Sequence, residues 1–390
     1  MARLPEQILV LSEIIAVADR EDADVILIAG DLFDNFNPSS ESIELFYKTL
    51  KRLSNNGNRP VIAIAGNHDS PDRIEAPDPL ARACGIIFAG YPHSTVELID
   101  IETGVSVQRS EPGFVEIKLP KYDYPLRLIL TPYANEYRLK TFLGVEDAEV
   151  TLRDVLEKFW KNLADTYCDD KGVNILMTHL YMMKKGAELL EEPEDEKPIL
   201  HVGGAQVVYS ENVPSQIQYV ALGHLHRFHQ IDKLPCPMVY SSSPLAYSFS
   251  EANQEKYVVL LDALPHTAVT YQKIALTEGK KLLRKKFYGT EEAVIWLKEN
   301  PDILVELTLA ADDYLKADER KQLFQAHDGI VTLIPEVTTR QGEIQQANAI
   351  DLNQNMEELF LQYFKSRHGQ HPNQDLLDLF KEVRAEQDKL

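Results

Sequence analysis

Val61-Ile62-Ala63-Ile64-Ala65-Gly66-Asn67-His68-Asp69 runs from an unbroken apolar stretch through one glycine into polar residues able to bind metal or move protons. An apolar run this short reads as a strand buried on both faces, the habit of parallel strands covered by helices. The pattern stands once upstream, where Val25-Ile26-Leu27-Ile28-Ala29 ends in Gly30-Asp31. It returns twice downstream. Val173 to Met177 leads into Thr178-His179, and Ile217 to Leu222 leads into Gly223-His224-Leu225-His226. In open α/β sheets ligands bind outside the carboxyl ends of the strands. Four separate stretches can therefore deliver their polar residues to one crevice.

Helical periodicity fills the intervals. In Gln7 to Arg20, Ile8, Leu11, Ile14, Ile15 and Ala18 recur at helical spacing, and a second helix is expected around Glu41 to Leu53. Residues 94–132 read as strands and turns, with alternation in Gly113 to Leu119. Glu191 to Glu196 reads as a solvated acidic loop. The pattern changes near residue 270. Strand Tyr271 to Leu276, a helix capped by Thr290, strand Ile303 to Leu309, helix Ala317 to Ala326 and strand Ile330 to Ile334 describe a small α/β unit. A polar stretch then precedes two amphipathic helices, one carrying Met356, Leu359, Phe360, Tyr363 and Phe364, the other Leu376, Leu379, Phe380 and Val383. The expected organisation is a main domain over 1–268, a small α/β domain over 269–337, a linker over 338–352 and a helix pair over 353–390.

Composition sets the outer bounds. Of the 390 residues, 44% are apolar and 26% charged, as in ordinary globular proteins. No apolar run approaches a membrane span. Cys84, Cys168 and Cys236 form no CxxC and read as reduced thiols of a cytoplasmic protein. The net charge of −21 argues against broad electrostatic capture of nucleic acid. It does not exclude a nuclease, because bound metal ions add local positive charge and a partner can supply a basic track.

Phosphodiester hydrolysis near neutral pH needs a nucleophile stronger than water and charge neutralisation at the phosphate, which two metal ions about 3.5–4 Å apart provide. Asp31 can bridge two ions, Asn67 offers an amide oxygen, and His179, His224 and His226 offer ring nitrogens. Gly30, Gly66 and Gly223 allow tight turns beside such ions. The bland reading of any histidine is structural or exposed. It is applied to His93, His201, His229, His266, His327, His368 and His371.

Gly30-Asp31-Leu32-Phe33-Asp34, Gly66-Asn67-His68-Asp69, Thr178-His179 and Gly223-His224-Leu225-His226 resemble, in order, four of the five motifs of calcineurin-like metallophosphoesterases. Asn37-Pro38 after the first and Ser70-Pro71 with Arg73 after the second narrow the resemblance to the DNA-exonuclease type, the SbcD family of nucleases that work within SbcCD complexes. The resemblance implies a four-layer α/β/β/α sandwich with an α/β capping domain and C-terminal helices that grip an SbcC-like ATPase. It implies a metal-dependent exonuclease and endonuclease of DNA repair and recombination, using two divalent ions, most often manganese, and forming a homodimer within a heterotetramer. Residue by residue, it makes Asp31 the bridge, gives Asn67, His179 and His224 to the second metal, and gives His226 to the first. His68 falls beside the scissile phosphate, oriented by Asp34, and Asp69 supports the local turn.

One motif is missing. The family opens with an apolar strand ending in Asp-x-His, and Met1 to Gln7 does not match it. Either the start as written is artificial, the favoured reading, or the first metal keeps only Asp31 and His226. The chain as written is then expected to show weak or absent nuclease activity. Two other functions compete: a small-substrate phosphatase or phosphodiesterase on the same fold, and a non-catalytic scaffold binding partner and DNA. The chain has no Gly-x-x-x-x-Gly-Lys-Ser/Thr motif, so ATP turnover is assigned to the partner.

Overall fold

A computed structural model describes residues 3–133, 152–188, 207–311 and 315–337, together with 360, 361, 364, 372 and 377. The acidic loop, the linker over 338–352 and almost all of the helix pair over 353–390 lie outside the described residues, as do His201, His368 and His371. The chain divides into two compact units, Met1–Leu309 with Lys316–Ile334, and Ala310–Leu315 with Pro335–Leu390. The site lies within the first.

Helix α1 (Leu4–Arg20) has proline in its first turn, where a missing N–H costs nothing. Its buried face carries Val10, Ile15, Val17 and Ala18, whereas Ile8, expected on the apolar stripe, is exposed. Strand β1 (Ile26–Ala29) follows, then α2 (Ser40–Leu53), capped by the Ser39 side chain accepting from Ser42 N. Next come β2 (Val61–Ile64), the short helices α3 (Pro71–Glu75) and α4 (Asp78–Ala83), and β3 (Ile86–Ala89). Strands β1, β2 and β3 form a parallel three-stranded sheet.

The chain then moves to a second sheet. Strands β4 (Ile99–Asp100), β5 (Ser106–Glu111), β6 (Phe114–Lys118) and β7 (Leu126–Thr131) run as an antiparallel meander. Helix α5 (Leu152–Tyr167) leads to β8 (Val173–Thr178), parallel to β7. The short β9 (Met182–Met183) and β10 (Val208–Tyr209) pair beside them. Then come β11 (Tyr219–Leu222), parallel to β8, β12 (His229–Asp232) and β13 (Met238–Tyr240). The order is β12-β13-β11-β8-β7-β6-β5-β4.

The sequence reading pointed to strands covered on both faces, and alternation of side chains assigns each face. Val61, Ala63, Ile86 and Phe88 join Ile15, Ala18, Leu50 and Leu53 of α1 and α2 in one apolar cluster. Their neighbours Ile62, Ile64, Ile87 and Ala89 point the other way, into a cluster with Val115, Ile117, Leu128, Leu130, Ile175 and Met177 of the larger sheet. The far face of that sheet, with Phe114, Ile129, Leu176, Val220 and Leu222, takes Leu152, Val155, Leu156 and Trp160 of α5. The layers are thus helix, sheet, sheet, helix. The four ligand-tipped strands are not in one sheet: β1 and β2 belong to one, β8 and β11 to the other.

Beyond the sandwich, β14 (Lys256–Asp262) pairs with β15 (Thr270–Leu276), the strand read as opening the small domain. Strands β16 (Lys281–Tyr288), β17 (Ile303–Ala311) and β18 (Ile330–Val337) form a separate sheet. Helices α6 (Thr290–Glu299) and α7 (Ala317–Ala326) pack on each other, and α6 lies against β16. Thr290 is the first helical residue, not the cap. Gly289 occupies the cap, and the Thr290 hydroxyl turns to Glu319 Oε1 at 3.3 Å. No helix among the described residues is long and apolar enough to cross a membrane. The three cysteines are free thiols.

Candidate metal centre

The C-terminal ends of β1, β2, β8 and β11 meet where the two sheets face each other. After β1 the chain takes two successive left-handed residues, Gly30 (φ 88°) and Asp31 (φ 50°), which turn the Asp31 side chain back across the strand ends. His224 after β11 also has positive φ, at 102°. Such backbone costs about 1–3 kcal/mol at a residue with a Cβ and persists where surroundings impose it.

The side chains converge. Donor atoms of Asp31, His179 and His224 all lie within 4.8 Å of one another. His179 Nε2 is 3.1 Å from Asp31 Oδ2 and 2.8 Å from Asn67 Oδ1. His224 Nδ1 is 3.3 Å from the same Asn67 oxygen. The second nitrogen of His179 meets the main-chain carbonyl of Ala29 at 2.8 Å, which fixes the fully buried ring. Burial disfavours the charged ring, but Asp31 and its hydrogen bond outweigh this and hold His179 above its ordinary value.

Three glycines make the approach possible by absence of bulk. A Cβ on Gly30 would lie 2.2 Å from His179 Nδ1, one on Gly66 2.1 Å from Asp31 Oδ1, and one on Gly223 1.6 Å from the Ala29 carbonyl oxygen. Asp69 braces the loops from below. Its Oδ2 accepts from Gly66 N at 2.7 Å and Leu32 N at 3.0 Å, and its Oδ1 from Phe33 N at 2.9 Å. Burial pushes its carboxyl above the ordinary range despite these amides.

The donor set fits a divalent ion. A carboxylate, an amide oxygen and two imidazoles are the mixed oxygen and nitrogen ligands that manganese, iron or zinc accept. The buried Asn67 Nδ2 donates to nothing among the described residues, so Oδ1 is the amide atom turned toward the histidines.

The other expected site residues stand at the rim. His68 N donates to Asp31 Oδ1 at 3.1 Å, placing the His68 main chain beside the cluster. Its Nδ1 contacts Asp34, but through the main-chain oxygen at 2.8 Å; the Asp34 carboxylate accepts from Asn35 Nδ2 at 2.6 Å. Arg73 Nη2 donates to Asn37 Oδ1 at 3.0 Å, joining two residues of the motifs quoted above. His226 is outside the close cluster of Asp31, His179 and His224; its Nδ1 lies 3.2 Å from Glu251 Oε1. Glu251 pairs in turn with buried Lys256. Sequence reasoning missed both. The only local signal was the Ser248-x-x-Glu251 capping spacing, which says nothing about a histidine 25 residues earlier. His327 is structural, bonded to Asn300 O and Gly329 N, and His229, at the start of β12, is lowered by burial and by Arg227.

Comparison with known proteins places this geometry. The calcineurin-like phosphoesterase family model matches residues 5–228. The SbcD component of the nuclease SbcCD from Bacillus subtilis is 33% identical over 98% of this chain and 93% of that protein. The proteins of the same name from Rhodobacter capsulatus and Staphylococcus epidermidis are 29% and 28% identical, over 76% and 66% of this chain and 69% and 60% of theirs.

Proposed function

Because this chain belongs to the calcineurin-like phosphoesterase family and is therefore a metal-dependent phosphodiesterase, we propose that it is the nuclease component of a DNA-processing complex. The observation that carries the reading is the meeting of Asp31, Asn67, His179 and His224 from four strand ends. In this reading Asp31, Asn67, His179 and His224 would hold one divalent ion, with manganese favoured, and Asp31 with His226 would hold a second. Bound ions supply charge neutralisation at the phosphate and a more acidic water.

The chain's own residues do the rest. Asp69 holds the Asp31 and Asn67 loops at fixed spacing through three amides. The Asp34 carbonyl holds His68 Nδ1, and this reading assigns Nε2 to the phosphate. As imidazolium, His68 stabilises charge there and protonates the departing oxygen. The partner is an SbcC-like ATPase docked on residues 353–390, the small α/β unit caps the substrate, and the assembly is dimeric.

The test is manganese-dependent cleavage of linear duplex and hairpin DNA by the chain, alone and with its ATPase, beside hydrolysis of a small phosphodiester. DNA cleavage, weak in the chain as written, that His179→Ala abolishes is the expected result. Hydrolysis of the small ester with DNA left intact in both settings overturns the nuclease reading.

A further inference from the structure

The orientation of His226, a proposed ligand, is set by a buried ion pair. Glu251 and Lys256 are 2% and 7% exposed. Glu251 Oε1 takes His226 Nδ1 at 3.2 Å and the amides of Tyr247 at 3.1 Å and Ser248 at 3.3 Å. Its Oε2 takes Lys256 Nζ and, at 3.3 Å, Ser243 Oγ. Lys256 directs its remaining donors to the His226 main-chain oxygen at 2.7 Å and Ser243 Oγ at 2.9 Å. The pair therefore holds His226 twice, by ring and by backbone.

A buried ion pair is weak evidence of stability, because desolvation offsets the attraction. Its placement asks for another reason. A neutral imidazole binds metal through the nitrogen that carries no proton, and the hydrogen bond made by the other nitrogen decides which that is. A carboxylate at Nδ1 requires Nδ1 to hold the proton, and Nε2 keeps the lone pair. His179 has the same arrangement with a main-chain carbonyl as acceptor.

We infer that Glu251, locked in place by Lys256, is the positioning residue of His226, fixing the ring as the Nδ1–H tautomer with the lone pair on Nε2. The role rests on the reading of His226 as a ligand, and the two can fail separately. Side-chain nitrogen NMR on the histidine-labelled full chain, at a pH where the rings are neutral, reads the tautomer without any metal. In the wild type His226 is Nδ1–H; an Nε2–H signal overturns the inference. Removing one charge alone strands the other, so the variant is the pair Glu251→Leu with Lys256→Met, which keeps the site neutral and apolar. There His226 shifts toward the Nε2–H form that an unrestrained histidine side chain prefers, while His179 stays unchanged. A His226 still wholly Nδ1–H, or both histidines disturbed together, means that the pair is merely structural. In parallel, His226→Ala is titrated with manganese. Uptake identical to wild type removes His226 from the ligand set and leaves the tautomer result to stand or fall alone. Where His226→Ala loses uptake, the paired variant weakens the same binding about 10–100-fold.

Discussion

His179 and His226 follow neighbouring parallel strands, β8 and β11, yet they are held in different ways. Around His179 the wall is main chain: the Ala29 carbonyl, the turn at Gly30, and glycines against which no Cβ fits. Around His226 and His68 the rim is held by a side-chain network and by one carbonyl of a surface loop. A wall of backbone cannot yield without moving strands, whereas the rim can lose a contact locally. Stability and metal retention should therefore depend on the wall, and turnover on the rim.

The largest effect is expected at Gly223. A Cβ there meets the Ala29 oxygen at 1.6 Å and His179 Nδ1 at 2.8 Å, so the β1 and β11 ends must separate. Gly223→Ala should cost about 3 kcal/mol or more in urea denaturation, above the usual overpacking range, and abolish manganese uptake. A loss under about 1 kcal/mol would mean that the wall is not rigid.

His68→Ala tests the rim. It should leave manganese titrations unchanged and lower DNA hydrolysis about 10²–10⁴-fold, as expected for loss of a proton donor. Reduced metal uptake would show that wall and rim are one unit. Asp34→Asn sharpens the point, because Asp34 meets His68 Nδ1 through its main-chain carbonyl. The rate should change by less than about tenfold, well short of the general-acid range. A fall equal to that of His68→Ala would return the role to the carboxylate.

The smallest effect is at the opposite end of β8, where Asp169 pairs with the buried Arg127 and the Asp169 carboxyl is held below the ordinary range, chiefly by that hydrogen bond. A depressed folded-state value stabilises the fold above the unfolded value of about 3.9 and ceases to as pH falls through the folded value. Asp169→Asn should cost less than about 1 kcal/mol at pH 7, since Asp169 is half exposed, with turnover and metal uptake intact. Its deficit against wild type should close as pH drops below about 4. A deficit constant to pH 2 would mean that the charge contributes nothing.

Much of the wall was legible in the sequence because it is written in contiguous residues. Apolar runs marked the strands to within a residue or two, and Gly-Asp, Gly-Asn-His and Gly-His-x-His marked what each would deliver. The role of glycine was anticipated as turn freedom. At Gly66 and Gly223 it is close approach instead, which depends on Asp31 and Ala29 arriving from elsewhere.

What the amino-acid order determined alone is local: where strands end, which donor types stand at those ends, and the family those motifs announce. What only the tertiary structure decided is long-range. Val61 to Ile64 is apolar at every position, so nothing in the run says which side chains face α1 and α2 and which face the larger sheet. That β1 and β2 lie in one sheet and β8 and β11 in the other, that Asp34 meets His68 through its main-chain carbonyl, and that Glu251 stands behind His226 all follow from packing. Burial is non-directional and selects apolar residues without naming their partners; the partners are settled only when distant segments close on one another.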